Sequence, residues 1–157
     1  MAKEKQINDD YKDFINLLNK FGVKYLIVGA YSVIFHTNIP RETRDIDFWI
    51  EKNSKNAEKC AKAIHEFCGI LIDKNDLLGE KEIFFIGEEP NRIDIFNTQK
   101  HISFESAFKN RKVGDFQGIK AYFISAPDLV KLMENFRRDI DLKDVKRIKT
   151  SLKNHHE

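Results

Sequence analysis

Three carboxylates carry the chemistry that this sequence can do. Asp45 and Asp47 stand in the run Arg44-Asp45-Ile46-Asp47-Phe48-Trp49-Ile50, and Asp94 stands in Asn91-Arg92-Ile93-Asp94-Ile95-Phe96. Side chains alternate faces along a strand, so residues two apart point the same way. That alternation puts Asp45 and Asp47 on one face and Ile46 and Phe48 on the other, and turns Asp94 away from Ile93 and Ile95. Two carboxylates on one face repel and raise each other's pKa unless a cation sits between them. A carboxylate on a core strand is costly unless it is paired or metal-bound. If the two strands are neighbours, three carboxylates converge, and such a cluster suits Mg²⁺, which favours a few carboxylates together with substrate phosphate oxygens. The expected chemistry is two-metal phosphoryl transfer, in which ions about 3.5–4 Å apart clamp the attacking and leaving oxygens. Asp94 is then also placed to take the proton of an attacking hydroxyl. The competing reading is an acidic strand whose polar side faces water.

Gly29 is the second feature. It follows the apolar run Lys24-Tyr25-Leu26-Ile27-Val28 and opens a new segment, a placement that aims backbone N–H groups and a helix N-terminus at an anion. A tight turn without a ligand is the plainer alternative.

The elements that must hold these groups follow from apolar spacing. Tyr11, Phe14, Ile15, Leu17, Leu18 and Phe21 predict a helix over 8–21, capped by Asn8 or Asp9 and ended at Gly22. Residues 24–28 predict a buried strand, 30–37 a short helix broken by Pro40, and 45–50 a second strand. An amphipathic helix is expected over 54–67, with Ala57, Cys60, Ala61, Ile64 and Phe67 on one side. Strands are expected over 69–73, 82–86 and 92–96, and a helix over 103–110 capped by Ser103. Residues 112–116 and 119–124 predict a hairpin across Gln117-Gly118. Pro127 suits the first turn of a helix starting after Ser125 and running to about Arg137. A last helix covers about 141–152, entered at Asp139 or Asp141. This order predicts an α/β (α+β) fold, a mixed central sheet flanked by helices. It forms a single domain over 1–157, with a core over 24–125 and C-terminal helices over 126–153.

Spacing adds a family resemblance. The stretch from Tyr25-Leu-Ile-Val-Gly-Ala-Tyr-Ser-Val-Ile-Phe-His36 to Pro40-Arg-Glu-Thr-Arg-Asp-Ile-Asp47 resembles the signature of the nucleotidyltransferase (DNA polymerase β-like) superfamily. It is similar above all to small bacterial abortive-infection and toxin–antitoxin members, and more distantly to lincosamide and aminoglycoside nucleotidyltransferases. Arg92-Ile-Asp94-Ile-Phe resembles the family's third-carboxylate strand. Ile124-Ser-Ala-Pro-Asp-Leu129 and Arg138-Asp-Ile-Asp141-Leu-Lys-Asp144 resemble its closing helical segment. The likeness covers roughly residues 24–150. It implies the nucleotidyltransferase fold, with Asp45, Asp47 and Asp94 as catalytic ligands of two Mg²⁺ ions and an NTP as substrate. It further implies nucleotide contacts from Gly29, Ala30, Ser32, Arg41, Thr43, Arg138 and Asp141. Two positions depart from the pattern. Ala30 keeps a backbone N–H but offers no hydroxyl, and Met133 stands where relatives carry a phosphate-binding lysine. Lys131 faces elsewhere on a helix, whereas Arg137, four residues from Met133, can cover the same spot.

Composition frames the rest. The chain has 157 residues, 41% hydrophobic with 13 Phe, enough to bury roughly two-thirds of its unfolded surface without disulfides or a structural metal. A formal net charge of +2 does not mark a dedicated nucleic-acid binder. Cys60 and Cys68 fit a reducing compartment. Met1–Tyr11 is charged and lacks an apolar stretch, and no apolar run approaches the ~20 residues of a membrane span, so the expected location is the cytoplasm. His36 is expected to bond a carbonyl at a helix end, and Trp49 to be core. The basic run Lys143–Lys149 is a solvated helix face or a docking surface for an acidic partner or a tRNA backbone. The leading reading is a Mg²⁺-dependent enzyme that moves NMP from an NTP to a hydroxyl. With so little chain around the core, a macromolecular acceptor such as tRNA or a protein side chain is favoured, in a toxin held by an antitoxin. An antibiotic nucleotidyltransferase and a non-catalytic binding protein on the same fold are the alternatives.

Overall fold

The computed structural model describes residues 8–80, 83–134 and 139–155. Helix α1 (Asp9–Lys20) starts where the Asn8 side chain accepts a hydrogen bond from the Tyr11 N–H, and it buries Tyr11, Phe14, Ile15 and Leu18. Strand β1 (Tyr25–Val28) is buried at all four positions, as a strand covered on both faces must be. Helix α2 (Gly29–Thr37) follows without an intervening loop. Strand β2 (Asp45–Ile50) leads to α3 (Ser54–Cys68), capped by Asn53 and closed by Gly69 in the left-handed conformation. Then come β3 (Ile83–Ile86), β4 (Arg92–Phe96), α4 (Phe104–Lys109) with Ser103 as its cap, and the hairpin β5 (Lys112–Phe116)–β6 (Ile119–Phe123). Gln117 and Gly118 both take positive φ at the hairpin turn, the geometry a two-residue turn needs to match strand twist. Helices α5 (Ala126–Glu134) and α6 (Asp139–His155) end the described chain. The end of the helix expected to run to about Arg137 lies outside the described residues beyond Glu134, as does Glu82 of the expected strand over 82–86.

The six strands form one mixed sheet in the order β3-β4-β2-β1-β6-β5. Strand β2 lies antiparallel to β1 and parallel to β4. Alternation then sorts the strands' side chains into two cores. Tyr25, Ile27, Ile46, Phe48, Ile50, Ile93 and Ile95 pack with Phe14, Leu18, Cys60 and Ile64 of α1 and α3. Leu26, Val28 and Trp49 pack on the other face with Leu129, Leu132, Met133, Val145 and Ile148 of α5 and α6.

The strand expected over 69–73 does not form. The chain leaves α3 at Gly69 and runs along the surface, with Leu71 82% exposed. A 3-10 turn (Lys74–Leu77) follows, fixed by reciprocal hydrogen bonds between Asp73 and Asp76. An apolar run without a facing strand stays unpaired, and the capping box captures its end. Among the described residues no helix is long and apolar enough to cross a membrane.

Candidate active site

The site is built on the β2–β4 ladder. Parallel pairing sets Asp47 beside Asp94 and Asp45 beside Arg92, all on the face of Trp49 and Phe96. Asp45, Asp47 and Asp94 each offer an oxygen within 4.8 Å of the others. Helix α2 begins immediately in front of them. Gly29 has φ +67°, and a Cβ there would overlap the Asp47 carboxylate, so only glycine lets the backbone approach this closely. The first turn of α2 has no side-chain cap, and Gly29 and Ala30 line the cleft.

Arg92 is woven into the acidic cluster. Its Nε donates to Asp94 Oδ1 at 2.7 Å, and its Nη2 to Asp94 Oδ2 and Asp45 Oδ2, each at 3.1 Å. Its Nη1 lies 3.6 Å from Glu89 Oε2, and its guanidinium carbon sits 4.7 Å over the Phe85 ring. Tyr11 braces the same strand from the opposite core, its hydroxyl donating to the carbonyls of Arg92 and Pro90. Burial raises the pKa of Asp45, with Asp94 adding to the shift and Arg92 opposing it. Asp47 is pushed well above the usual carboxylate range by burial first, then by the charges of Asp45 and Asp94. One guanidinium therefore offsets only part of the repulsion. The donor set is all oxygen, convergent and under-neutralised, and it fits a hard divalent cation such as Mg²⁺.

The cleft over these carboxylates has a volume of about 520 Å³, within the range of small-molecule sites. Val28, Phe96, Leu129, Leu132 and Met133 give it apolar walls, and Arg41, Gln99 and Asp141 its remaining polar groups. A second hollow of about 640 Å³ lies beside α3, and among the described residues it holds no convergent acidic cluster.

The structure brings together Asp45, Asp47, Asp94, Gly29, Ala30, Arg41 and Asp141 around one cleft. The hydroxyls of Ser32 and Thr43 are used elsewhere. Ser32 is fully buried and donates to the Gly29 carbonyl at 2.7 Å, and Thr43 donates to the Asp45 carbonyl at 2.8 Å. Both brace the backbone beside the site. Arg138 and Arg137 lie outside the described residues. Lys131 is 66% exposed and 3.9 Å from Asp128, whereas Met133 itself lines the cleft. His36 Nε2 is 2.7 Å from the Ile124 carbonyl; a carbonyl only accepts, so this nitrogen carries the proton, and burial lowers the ring's pKa. Trp49 is core, edge-on to Phe104. Two residues that contact these groups were not singled out from the sequence. Arg92 was signalled by its place two before Asp94 on one strand. Asp144 was signalled by its place one helical turn after Asp141, and it is fully buried and 2.9 Å from Arg41 Nε.

Similarity to known proteins follows the same lines. The chain resembles the lincosamide antibiotic adenylyltransferase LnuA, solved with lincomycin bound, at 16% identity and a TM-score of 0.59, over 92% of this chain and 98% of that one. It resembles the antibiotic-resistance factor ANT(2'')-Ia at 10% identity and a TM-score of 0.62, over 93% of this chain and 82% of that one. An antigenic nucleotidyltransferase-like protein from Paracoccidioides brasiliensis matches at 12% identity and a TM-score of 0.52, over 88% of this chain and 74% of that one. These likenesses establish the fold. No curated protein matches the sequence significantly. The family described as "Nucleotidyltransferase of unknown function (DUF6036)" matches residues 6–152, nearly the whole chain, and the protein belongs to that family of nucleotidyltransferases.

Proposed function

We propose that the protein transfers the nucleoside monophosphate of an NTP to a hydroxyl acceptor, with Asp45, Asp47 and Asp94 holding two Mg²⁺ ions. The observation that carries this reading is the convergence of the three carboxylates in register beside Gly29. Bound there, the metal supplies neutralisation of the triphosphate and acidification of the acceptor hydroxyl. The chain's own residues do the rest. The backbone N–H groups at Gly29 and Ala30 face the phosphates, so the missing hydroxyl at position 30 removes one donor and not the cradle. Leu129, Leu132 and Met133 enclose the nucleoside. Arg92 holds Asp45 and Asp94 in fixed orientation and balances their charge. The acceptor oxygen bonds to the α-phosphorus, the bond to the β-phosphate oxygen breaks, and pyrophosphate leaves. Asp94 takes the hydroxyl proton.

For the acceptor, two readings stand on different observations. The resemblance of residues 25–47 to abortive-infection and toxin–antitoxin members favours a hydroxyl on a macromolecule, a tRNA 3′ end or a protein side chain, in a cytoplasmic toxin restrained by an antitoxin. LnuA, matched over 98% of its length, is an antibiotic adenylyltransferase solved with lincomycin bound, and that likeness favours a small hydroxylated acceptor as the second reading. Purified protein with Mg²⁺, each labelled NTP, and either total tRNA and lysate or a panel of hydroxylated antibiotics separates the two by which fraction takes up label. A non-catalytic role, motivated by Ala30 and Met133, requires that label enter neither fraction and that calorimetry detect no Mg²⁺-dependent NTP binding.

A further inference from the structure

The cleft lacks a lysine where the family resemblance places one, because position 133 is a methionine that forms part of the apolar wall. Among the described residues lining the cleft, the cations are Arg41 and Arg92. Arg92 is committed to Asp45 and Asp94 through Nε and Nη2, with Glu89 beside its Nη1. Arg41 is held differently. It sits in the irregular segment 38–44 before β2, where no helix or strand fixes a side chain's direction. What fixes it is α6: Asp144, fully buried, lies 2.9 Å from Arg41 Nε, and the Arg41 side chain is only 15% exposed. Among the described residues, Arg147 also pairs with Asp144, but it is 3.8 Å away and 43% exposed.

Burying a carboxylate to dock a helix is a poor route to stability, since apolar residues of similar volume do as well or better. Here the pair achieves something packing cannot. It pairs a buried carboxylate with an arginine on the cleft wall, and a guanidinium carries a planar fork of donors that suits phosphate oxygens. We infer that Asp144 is a positioning residue that aims Arg41 into the cleft, where Arg41 clamps the β- and γ-phosphates of the NTP in place of the lysine missing at Met133. The inference rests on the nucleotidyl-transfer reading above. It makes α6 part of the nucleotide site, and it gives Asp144 a role at a distance from the three metal-binding carboxylates.

Calorimetry with Mg²⁺ and each NTP, alongside the matching NMP, tests it on the full chain, on Arg41→Gln, Arg41→Lys and Asp144→Asn, and on the double variant R41Q/D144N. Arg41→Gln is expected to weaken NTP binding by about ten- to a hundredfold, the worth of one charge-assisted hydrogen bond, and to leave NMP binding unchanged. Asp144→Asn is expected to weaken NTP binding less, again sparing NMP, and Arg41→Lys to retain more affinity than Arg41→Gln. The double variant is expected to bind no worse than Arg41→Gln alone, because the two residues act as one unit. A merely structural Asp144 would shift Tm, or weaken NTP and NMP equally; either result with NTP discrimination intact overturns the inference, as does additivity in the double variant. If Asp144→Asn does not fold, equal loss of NTP and NMP affinity in Arg41→Gln overturns it. Absence of NTP binding by the unaltered chain sinks the nucleotidyl-transfer reading and this inference together. NTP binding that the Arg41 and Asp144 variants leave intact sinks this inference alone.

Discussion

On β2, Ile46, Phe48 and Ile50 are buried against α1 and α3, while Asp45 and Asp47, each one residue away, look into a cleft on the opposite face. The closed face is filled by rings in edge contact, Phe14 against Phe48 and Phe67, and Tyr25 against Phe48. On the other face, α5 and α6 close over Leu26, Val28 and Trp49 but stand back from the carboxylates. The same six residues of backbone thus serve a stabilising core and a destabilising charge cluster. The lesson is that the closed face supplies the stability that the open face needs in order to keep three acids together.

Variants on each face sharpen this contrast. The largest effect is expected on the open face: Asp94→Ala should lower transfer on the order of 10³-fold or more, as loss of a group acting in a catalytic unit does, with the folded state retained by circular dichroism. Next, on the closed face, Phe48→Ala should destabilise by about 3–5 kcal/mol, measured by urea unfolding. An Asp94→Ala protein that unfolds, or a Phe48→Ala protein of unchanged stability, would break the contrast.

Gly29→Ala falls between the faces. The left-handed backbone costs a non-glycine residue about 1–2 kcal/mol, and the added Cβ also collides with Asp47. Both stability and Mg²⁺-dependent NTP binding should fall, the first by thermal melt and the second by calorimetry.

The smallest effect has the opposite sign. Asp47 has a raised pKa in the folded state, so the folded protein binds this proton more tightly than the unfolded chain does. Stability without metal therefore declines as pH rises from the ordinary aspartate value through the raised one, and the penalty is fully present above it. Asp47→Asn should remove it and raise Tm at neutral pH, by about 2–4 °C for each kcal/mol recovered, while abolishing the Tm increase given by Mg²⁺. Metal affinity of the unaltered chain should strengthen with pH through the same window, because protons compete for the ligands.

Much of this arrangement was legible in the sequence because it rests on local rules. Alternation alone placed Asp45 and Asp47 together and set Ile46 and Phe48 against the core, and the strands 45–50 and 92–96 match the structure residue for residue. That β2 and β4 are neighbours came only from the family resemblance, since strand order is not written in periodicity. The Gly69–Asp73 segment misled because Ile70, Leu71 and Ile72 look like a strand to any local rule, whereas a strand exists only where a neighbour's hydrogen bonds are available. The Arg41–Asp144 pair joins positions about a hundred residues apart, and no spacing rule reaches that far.

The parallel β2–β4 register has a consequence of its own. Neighbouring strands lie about 4.8 Å apart whatever their side chains, so the gap between Asp47 and Asp94 is measured by a ruler made of main-chain hydrogen bonds. A one-residue slip would swing Ile93 or Ile95 beside Asp47 and part the three carboxylates altogether.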